Sequence, residues 1–318
     1  MYLTIDPAHS RAAALAAQPR VSVVMVVYMT GPTLMESVRH ALAEPSTDEL
    51  VIVDNGSSVA DAAWLRSLAR REPRVRLLQG LGNIGFARAA NLGATAAKGE
   101  ELVFLNPDAF LTPGAIAALR KAACDRPSPC VVGARVFNTD GTEQRGGRRG
   151  EITPVTTLLS LSKLSATLPP LRRFEIHREG DPPPPYPVDT PTISGACFYM
   201  TACDFQRLGG FDEGYFLHVE DIDLCWRARL QGGCVLFQPH ARVVHVGSTS
   251  RESPLVIEWH KGKGLVRYFL KRADSKRRKA LALLLAPLIL SAAVARPLLR
   301  SARRRSTRSS TRPAPATH

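Results

Sequence analysis

Apolar runs that alternate with helix-like stretches constrain the fold of this chain more than any other feature of its sequence. The first run, VSVVMVVYM at residues 21–29, consists almost entirely of β-branched and other apolar residues. Such a run is typical of a strand buried on both faces, as in a parallel sheet. Three more runs follow at residues 49–58, 74–80 and 100–108, and helical stretches at 33–44, 61–71 and 86–98 separate them. This alternation predicts right-handed βαβ units in an open α/β sheet.

The second half of the sequence is less regular. A polar loop at residues 138–150 and the proline-rich DPPPPYP at 181–187 indicate a long irregular segment, which is a candidate lid. Regular structure is predicted again after this segment, as a strand at 192–201, a helix that begins near Glu220, a strand at 234–247 and a helix at 255–272.

Polar residues follow three of the predicted strands, in DNGSS (54–58), GLGNIG (80–85) and NPD (106–108). Because ligands of an open α/β sheet bind outside the carboxyl ends of its strands, these segments mark the expected site. Asp54 either closes a tight turn or accepts hydrogen bonds from a nucleobase or a ribose. Asp108 either belongs to a strand-ending turn or holds Mg²⁺ or Mn²⁺, which take their other ligands from phosphate and water.

Three carboxylates, those of Glu220, Asp221 and Asp223, crowd the start of one predicted helix. The helix dipole favours acids there by about 0.3–1 kcal/mol each, and Asp223 is spaced for an ion pair with Arg227. Adjacent acids also raise each other's pKa, which suits a general base that takes a proton from a hydroxyl. His245 ends another apolar run and is either a structural residue or a metal ligand.

The charge of the chain is concentrated at its C-terminal end. Of 42 Lys and Arg, 13 lie in residues 271–318 beside a single Asp, so the first 270 residues hold 29 basic and 27 acidic side chains. This nearly neutral body argues against a nucleic-acid-binding domain. Between Lys279 and Arg296 lie 16 uncharged residues with basic flanks, fewer than the ~20 of a membrane-spanning helix. We predict that this segment lies on or dips into an anionic leaflet; a core-packing helix followed by a solvated tail is the alternative.

A literal G-x-G-x-x-G stands at Gly80, Gly82 and Gly85, and Asp108 lies near the spacing of the acidic residue that a dinucleotide fingerprint requires. A nucleotide-dependent oxidoreductase is therefore the alternative class of enzyme. Such an enzyme has no need for the acidic clusters at 106–108 and 220–223.

Seven motifs, taken in order, resemble the family 2 inverting glycosyltransferases, in particular their rhamnosyltransferase-like branch. They run from about residue 21 to residue 270 and read VVMVVYMTG, VIVDNGSS, GNIGFARAAN, FLNPDAFL, ISGACFYM, GGFDEGYFLHVEDIDLCWRARLQGG and HVGSTS. The resemblance implies a GT-A-like open mixed sheet with helices on both faces, a nucleoside diphosphate sugar as donor, and Mg²⁺ or Mn²⁺ as cofactor. It makes Gly80 and Gly82 a chance match to the dinucleotide fingerprint.

The same resemblance assigns roles to individual residues. Asp221 is the expected catalytic base, flanked by Glu220 and Asp223, and Asp108 and His245 are the expected metal ligands. The expected donor-binding residues are Asp54, Asn55, Asn83, Gly85, Phe86, Arg88, Asn91, Asn106, Gly195 and Ala196. Two positions depart from the usual motifs: Met29 stands where Asn is common, and Asn106 replaces the first acid of Asp-x-Asp, which leaves the metal one carboxylate fewer.

The resemblance also implies partners and a location. The expected donor is a dTDP- or UDP-sugar, with L-rhamnose favoured, and the expected acceptor is a hydroxyl of a lipid-linked or polymeric glycan in cell-surface polysaccharide synthesis. No nucleic-acid partner is expected. We expect residues 1–20 to form a leader, 21–272 the GT-A domain, and 273–318 a segment that associates with anionic membrane at the cytoplasmic face of the plasma (inner) membrane.

Overall fold

The computed structural model describes residues 19–309 except 163, 248 and 251, so most of the predicted leader and the last nine residues lie outside the described chain. The strands are β1 (Val21–Val27), β2 (Glu49–Asp54), β3 (Val75–Leu78), β4 (Glu101–Leu105), β5 (Ala109–Leu111), β6 (Cys130–Phe137), β7 (Arg148–Arg149), β8 (Val188–Asp189), β9 (Thr192–Ile193), β10 (Cys197–Thr201) and β11 (Cys234–His245). The α-helices are α1 (Thr33–Ala43), α2 (Val59–Arg71), α3 (Phe86–Ala96), α4 (Ala115–Ala123), α5 (Pro154–Leu161), α6 (Leu164–Thr167), α7 (Ala202–Arg207), α8 (Glu220–Leu230), α9 (Pro254–Arg272) and α10 (Lys276–Ser309), and a 3₁₀ helix covers Pro169–Phe174.

Within the described residues, nine strands form one mixed sheet in the order β3-β2-β1-β4-β10-β6-β11-β5, with β8 paired to β11. Strands β3, β2, β1 and β4 are parallel to one another. Strand β10 runs antiparallel to β4 and to β6, and β6 and β11 are again parallel. The two short strands β7 and β9 form a separate antiparallel ribbon. The open mixed α/β sheet predicted from the sequence is therefore confirmed.

Burial on both faces explains why the first strand is apolar throughout. Val23 and Met25 of β1 belong to the hydrophobic core on one side of the sheet, and Val24 and Val26 belong to the core on the other side. Because successive side chains of a strand point to opposite faces, an unbroken apolar run is what two helix-covered faces require.

Two predicted stretches differ from the structure. The single strand expected at 192–201 is broken into β9 and β10, so that residues 194–196 form a turn between them. The segment 150–187, expected to be irregular, contains α5, α6 and the 3₁₀ helix. Helix α5 begins with a capping box between Thr153 and Thr156 and with Pro154 in its first turn, which are ordinary signals for a helix start.

Helices α9 and α10 form a hairpin that is tied to the domain by a third hydrophobic core, in which Val219 and Ile222 meet Tyr268 and Ile289. The apolar segment of α10 therefore has two faces. Its buried residues, Ala282, Ile289 and Ala293, pack inward. Its large exposed residues are Leu281, Leu283, Leu284 and Leu288. The predicted boundary at residues 272 and 273 thus falls at the turn between two helices that pack together.

Gly133 in β6 lies against Ile193 of the neighbouring ribbon, and a Cβ at this position would be 2.4 Å from the Ile193 Cβ. The Ile193 Cβ is fixed by its backbone and cannot move aside. We expect Gly133→Ala to lower the free energy of unfolding by about 1–3 kcal/mol through overpacking. Gly180→Ala is the control, because a Cβ there meets no described atom within 4 Å, and its effect should stay within about 0.5 kcal/mol. Equal denaturant midpoints for the two variants would show that this packing is looser than described.

Candidate active site

A cavity of about 590 Å³ opens at the carboxyl ends of β1 and β4, between the loop that precedes α8 and the first turns of α9. It collects most of the predicted site residues in one place. Those that line it are Asn83, Gly85, Phe86, Asn106, Asp108, Gly195, Ala196, Glu220, Asp221 and His245. The acid that follows β4 and the acids that start α8 therefore face a shared space.

Asp108 is held by two neighbours at the floor of this cavity. Its Oδ1 lies 3.1 Å from His245 Nε2, and its Oδ2 accepts a 2.9 Å hydrogen bond from the Thr249 hydroxyl. Burial opposes ionisation of Asp108, but the bonds from His245 and Thr249 outweigh it, so the pKa of Asp108 lies below its ordinary value. The carboxylate is thus ionised at neutral pH.

The surroundings of His245 indicate which ring nitrogen carries the proton. Gln144 donates its own amide N–H groups to the His245 carbonyl and to Asn138, which turns the Gln144 Oε1 toward His245 Nδ1 at 2.7 Å. Nδ1 is therefore a protonated nitrogen, and Nε2 is the nitrogen that contacts Asp108 and that a bound cation would take as its ligand. Two ligand atoms of one cation, each about 2.1 Å from it at right angles, stand about 3 Å apart. The observed Nε2 to Oδ1 distance of 3.1 Å fits this arrangement.

The described residues contain no group of three His, Cys, Asp or Glu side chains that converge on one metal position. A cation at Asp108 and His245 would rest on two protein side chains and take its remaining ligands from elsewhere. Mg²⁺ and Mn²⁺ sites that include substrate phosphates and water have this composition. The donor set therefore fits the predicted cofactor.

Asp221, at the start of α8, is fixed by three donors. Its Oδ2 accepts hydrogen bonds from Arg149 Nη2 at 2.7 Å and from the Gly195 backbone N–H at 3.0 Å, and its Oδ1 accepts the Ile222 N–H at 2.8 Å. The side chains of Asp221 and Arg149 are 12% and 16% exposed, so this ion pair is largely removed from water but open to the cavity. Its geometry holds one carboxylate in one orientation.

A short chain of contacts connects the two acidic centres. Gly195, which binds Asp221, is followed by Ala196, and the Ala196 carbonyl accepts a 2.9 Å hydrogen bond from the Asn106 N–H. The side-chain amide nitrogen of Asn106, Nδ2, in turn lies 3.2 Å from His245 Nε2. The expected base Asp221 and the expected metal ligands Asp108 and His245 are therefore connected by the dipeptide Gly195–Ala196 and a few hydrogen bonds.

The loop before α8 has an unusual backbone and strongly shifted pKa values. His218 and Val219 adopt φ angles of 66° and 76°, in the left-handed region. Burial lowers the pKa of His218 to about 4, so this cavity residue is a neutral imidazole. Burial and the adjacent Asp221 raise the pKa of Glu220 to about 8, and its Oε2 has no hydrogen-bond partner among the residues that the structure describes.

Two predicted donor-binding residues, Asp54 and Asn55, stay outside the cavity. Asp54 Oδ1 accepts a 2.8 Å hydrogen bond from the Ser57 N–H and closes the turn after β2, and its Oδ2 accepts a 2.8 Å hydrogen bond from Gln79, just after β3. Asn55 donates to Asn83 at 3.1 Å and thereby orients a residue that does line the cavity. The turn interpretation of Asp54 is the one that its contacts support.

Three other predicted residues have partners elsewhere. Arg88 pairs with Glu213 on the surface. Asn91 exchanges two hydrogen bonds with the backbone of Phe211 and so ties α3 to the loop before α8. Asp223 is fully buried and bonds to Arg227 Nε at 2.6 Å and to Lys271 Nζ at 2.8 Å. The structure does not bring Asp223 to the cavity beside Asp221, because its side chain points into a buried ion-pair network.

Several cavity residues were not predicted from the sequence. Arg149 was placed in a polar loop, and the hydrogen bond between Tyr28 and Glu252, which closes one wall, joins residues far apart in the chain. Lys261 and His260 line the cavity from α9. The local signal for Arg149 in the sequence is the polar and basic run at residues 138–150, in which it lies.

Among the glycines of the G-x-G-x-x-G, only Gly85 lies in close contact. It has a φ of 86°, and a Cβ there would lie 2.8 Å from the Phe216 carbonyl oxygen. A Cβ on Gly80 or Gly82 would meet no described atom within 4 Å. Gly80 and Gly82 are therefore favoured by their positive φ angles of 87° and 64°, and no close contact with a described atom requires them.

Comparison with solved structures defines the class of protein. The crystal structure of GalNAc-T7 with UDP, GalNAc and Mn²⁺ matches 82% of this chain and 49% of its own, with a TM-score of 0.59 and 19% identity. Mannosyltransferase PcManGT from Pyrobaculum calidifontis, in complex with GDP-Man and Mn²⁺, matches 93% of this chain and 82% of its own, with a TM-score of 0.55 and 18% identity. The fold is the GT-A fold of glycosyltransferases.

Sequence comparison then identifies the family. Residues 22–193 match the description Glycosyl transferase family 2. The N-acetylglucosaminyl-diphospho-decaprenol L-rhamnosyltransferase of Mycobacterium tuberculosis is 30% identical over 249 residues, which cover 72% of this chain and 78% of that protein. The chain belongs to glycosyl transferase family 2, which confirms the resemblance found in the sequence and decides against the oxidoreductase alternative.

The raised pKa of Glu220 makes stability depend on pH in a defined direction. An acid whose pKa is about 8 in the folded protein and 4.5 in the unfolded chain stabilises the fold fully below the lower value, and this contribution is lost as the pH rises toward the higher one. We expect the melting temperature of Glu220→Gln to fall less than that of the natural protein between about pH 5 and about pH 8. Glu258→Gln, in the half-buried part of α9, is the control and should keep the natural slope. Parallel curves for Glu220→Gln and the natural protein would contradict the burial of this acid.

Proposed function

We propose that this glycosyltransferase moves a sugar, L-rhamnose foremost, from a dTDP- or UDP-sugar to a hydroxyl of a polyprenyl-linked saccharide, with inversion at the anomeric carbon. The observation that carries the proposal is the single cavity in which Asp108 and His245 lie beside Asp221. A transferase needs both of these centres, one for the departing diphosphate and one for the incoming hydroxyl.

The relatives support the class of substrate. The Mycobacterium tuberculosis relative is named as a rhamnosyltransferase acting on N-acetylglucosaminyl-diphospho-decaprenol. The two solved structures contain UDP or GDP-Man together with Mn²⁺. We assign to this chain a nucleoside diphosphate sugar and a divalent cation, as the solved structures contain, and a lipid-linked acceptor, as the Mycobacterium tuberculosis relative is named for.

In the proposed mechanism Asp221 is the general base. Its carboxylate would accept the proton of the acceptor hydroxyl as the hydroxyl oxygen attacks the anomeric carbon from the face opposite the diphosphate. Arg149 and the Gly195 N–H hold Oδ2 and keep the carboxylate oriented toward the cavity. Protonated Glu220 adds no second negative charge beside it, since the pKa of Glu220 is about 8.

Asp108 and His245 are the residues that would hold a divalent cation. When bound, this cation would supply positive charge that stabilises the departing nucleoside diphosphate. The protein's own part is to present an ionised carboxylate and the Nε2 lone pair of His245, which Gln144 fixes through Nδ1. Asn106 stands where the common motif has its first acid. The second protein ligand beside Asp108 would therefore be the imidazole of His245 and not a second carboxylate.

We place the enzyme on the cytoplasmic face of the plasma membrane. Within the described chain, the segment Lys276–Ala295 of α10 has a mean hydropathy of 1.8 and the length to cross a bilayer. It packs along α9, however, and α9 carries Lys263, Arg267 and Lys271. Burial of the hairpin in hydrocarbon would desolvate those charges at high cost, so an orientation along the leaflet is favoured.

A donor panel tests the proposal. Hydrolysis and transfer would be measured with dTDP-rhamnose, UDP-galactofuranose, UDP-GlcNAc, UDP-glucose and GDP-mannose, each with Mg²⁺, with Mn²⁺ and with a chelator. We expect dTDP-rhamnose to be turned over fastest and the chelator to abolish turnover. Full activity in chelator would contradict the role of Asp108 and His245, and preference for another donor would contradict the assignment of rhamnose.

Substitution of two acids in α8, Asp221 and Asp223, tests which of them is the base. We expect Asp221→Asn to lower kcat by about 10²- to 10⁴-fold while the dissociation constant of the nucleoside diphosphate, measured by calorimetry, stays near its natural value. Asp223→Asn should instead lower the melting temperature, because it leaves Arg227 and Lys271 without their buried carboxylate. Near-natural turnover of Asp221→Asn with intact donor binding would remove Asp221 from the mechanism.

A further inference from the structure

Large apolar side chains are exposed on the first two turns of α9. Leu255, Val256 and Trp259 are 38%, 41% and 42% exposed. We call these three residues the α9 patch. Single exposed apolar residues are common on protein surfaces, but three on two successive turns form a contiguous feature that asks for a partner.

The α9 patch lies at the mouth of the catalytic cavity. Val256 belongs to the patch and also lines the cavity, together with Ile257, His260 and Lys261 of the same two turns. His260 stacks on the ring of Phe216 with the ring centroids 4.6 Å apart, and Phe216 is itself 39% exposed at the cavity wall. The first two turns of α9 therefore face the cavity on one side. On the adjacent side they expose the apolar residues Leu255 and Trp259 to solvent.

A lipid-linked acceptor restricts where such a mouth can point. Each CH₂ of a polyprenyl chain that is buried in hydrocarbon favours membrane binding, so the carrier stays in the bilayer and only its saccharide projects. The acceptor hydroxyl then reaches Asp221 only if the cavity mouth lies against the headgroups. Tryptophan is enriched at that depth of the membrane, and Trp259 lies exposed one helical turn from Val256, which lines the cavity.

The charge near the patch favours lipid over a second copy of the chain. Residues 254–263 contain two lysines, Lys261 and Lys263, and one glutamate, and both lysines are exposed. A two-fold contact between copies would bring the same lysines toward each other. Anionic headgroups complement them and add attraction for each nearby lysine.

We infer that the α9 patch is a membrane-docking surface that seats the mouth of the catalytic cavity on an anionic bilayer. This inference rests on the proposed lipid-linked acceptor and adds a contact separate from that of α10. The two contacts belong to one hairpin, since α9 and α10 touch closely at Gly262, where a Cβ would lie 3.0 Å from the Ala293 Cβ. The exposed leucines of α10 would supply attachment, whereas the α9 patch supplies the orientation of the cavity.

The test uses the full chain with the double substitution Leu255→Ser and Trp259→Ser, neither of which lines the cavity. Transfer would be measured to N-acetylglucosaminyl-diphospho-decaprenol in vesicles of phosphatidylcholine with phosphatidylglycerol, and to a water-soluble analogue with a short alkyl chain. We expect vesicle transfer to fall at least about tenfold and transfer to the soluble analogue to stay within about twofold, because only bilayer docking loses apolar burial.

Two further variants serve as comparisons. Leu230→Ser, at the C-terminal end of α8, changes a leucine that is 68% exposed and away from the cavity, and should leave both activities unchanged. Leu284→Ser with Leu288→Ser on α10 should weaken sedimentation with the vesicles, and the transfer rate per bound enzyme should stay near its natural value. The α9 double variant should lower that rate per bound enzyme.

Fluorescence provides a readout that does not depend on turnover. The chain has three tryptophans, and of these Trp259 should be quenched by brominated phosphatidylcholine in the vesicles, an effect lost in Trp259→Phe. Absence of quenching together with unchanged vesicle transfer by the double variant would overturn the inference. A second result would also overturn the inference, in favour of a contact between copies. In this result Trp259 of the natural protein is not quenched by lipid, and the double variant sediments more slowly than the natural protein in lipid-free buffer.

Failure of the proposed function looks different. If the natural protein transfers no sugar to either acceptor while Trp259 is quenched by the brominated lipid, the docking surface stands and the assignment of the acceptor falls. If the soluble analogue is a substrate and Trp259 is not quenched, the transferase assignment stands and the docking surface falls.

Discussion

The hydrogen bond from the Asn106 N–H to the Ala196 carbonyl holds the two halves of the active site together. It lies where the sheet changes direction, at the junction of parallel β4 with antiparallel β10. Because β10 runs the opposite way, its beginning meets the end of β4, and a turn that binds Asp221 is set beside the acid that follows β4. An all-parallel sheet would place the start of that strand at the far edge, and Asp108 and Asp221 would have no common cavity.

The third hydrophobic core performs a comparable task on the other side of the site. Ile222 follows Asp221 directly and packs with Tyr268 of α9 and Ile289 of α10. The ion pair of Asp223 with Lys271 joins α8 to α9 through charge, and Arg227 of α8 completes the network. Helix α8 is thus fixed against the C-terminal hairpin on its apolar and charged sides, which leaves its first turn as the part that faces substrate.

The sequence predicted the first half of the fold well, because strands that are buried on both faces leave a clear apolar record from β1 to β4. It also placed Asp108, His245 and Asp221 correctly at element ends. Asp223 was expected beside Asp221, but residues two apart on a helix are rotated by about 200° about its axis, and this rotation turns the Asp223 side chain away from the cavity. The contact of Arg149 with Asp221 was out of reach, since it depends on a ribbon of two-residue strands that has no local pattern.

His218 and Val219 have consequences for how the catalytic loop stays assembled. A β-branched residue such as Val219 rarely adopts a left-handed backbone, and the conformation persists only where surrounding structure enforces it. Here the enforcing neighbour is Gly264 of α9, where a Cβ would lie 2.9 Å from the Val219 side chain. The C-terminal hairpin therefore braces this loop. A shortened protein, cut before α9, would release that strained turn and with it the alignment of Asp221, the proposed base.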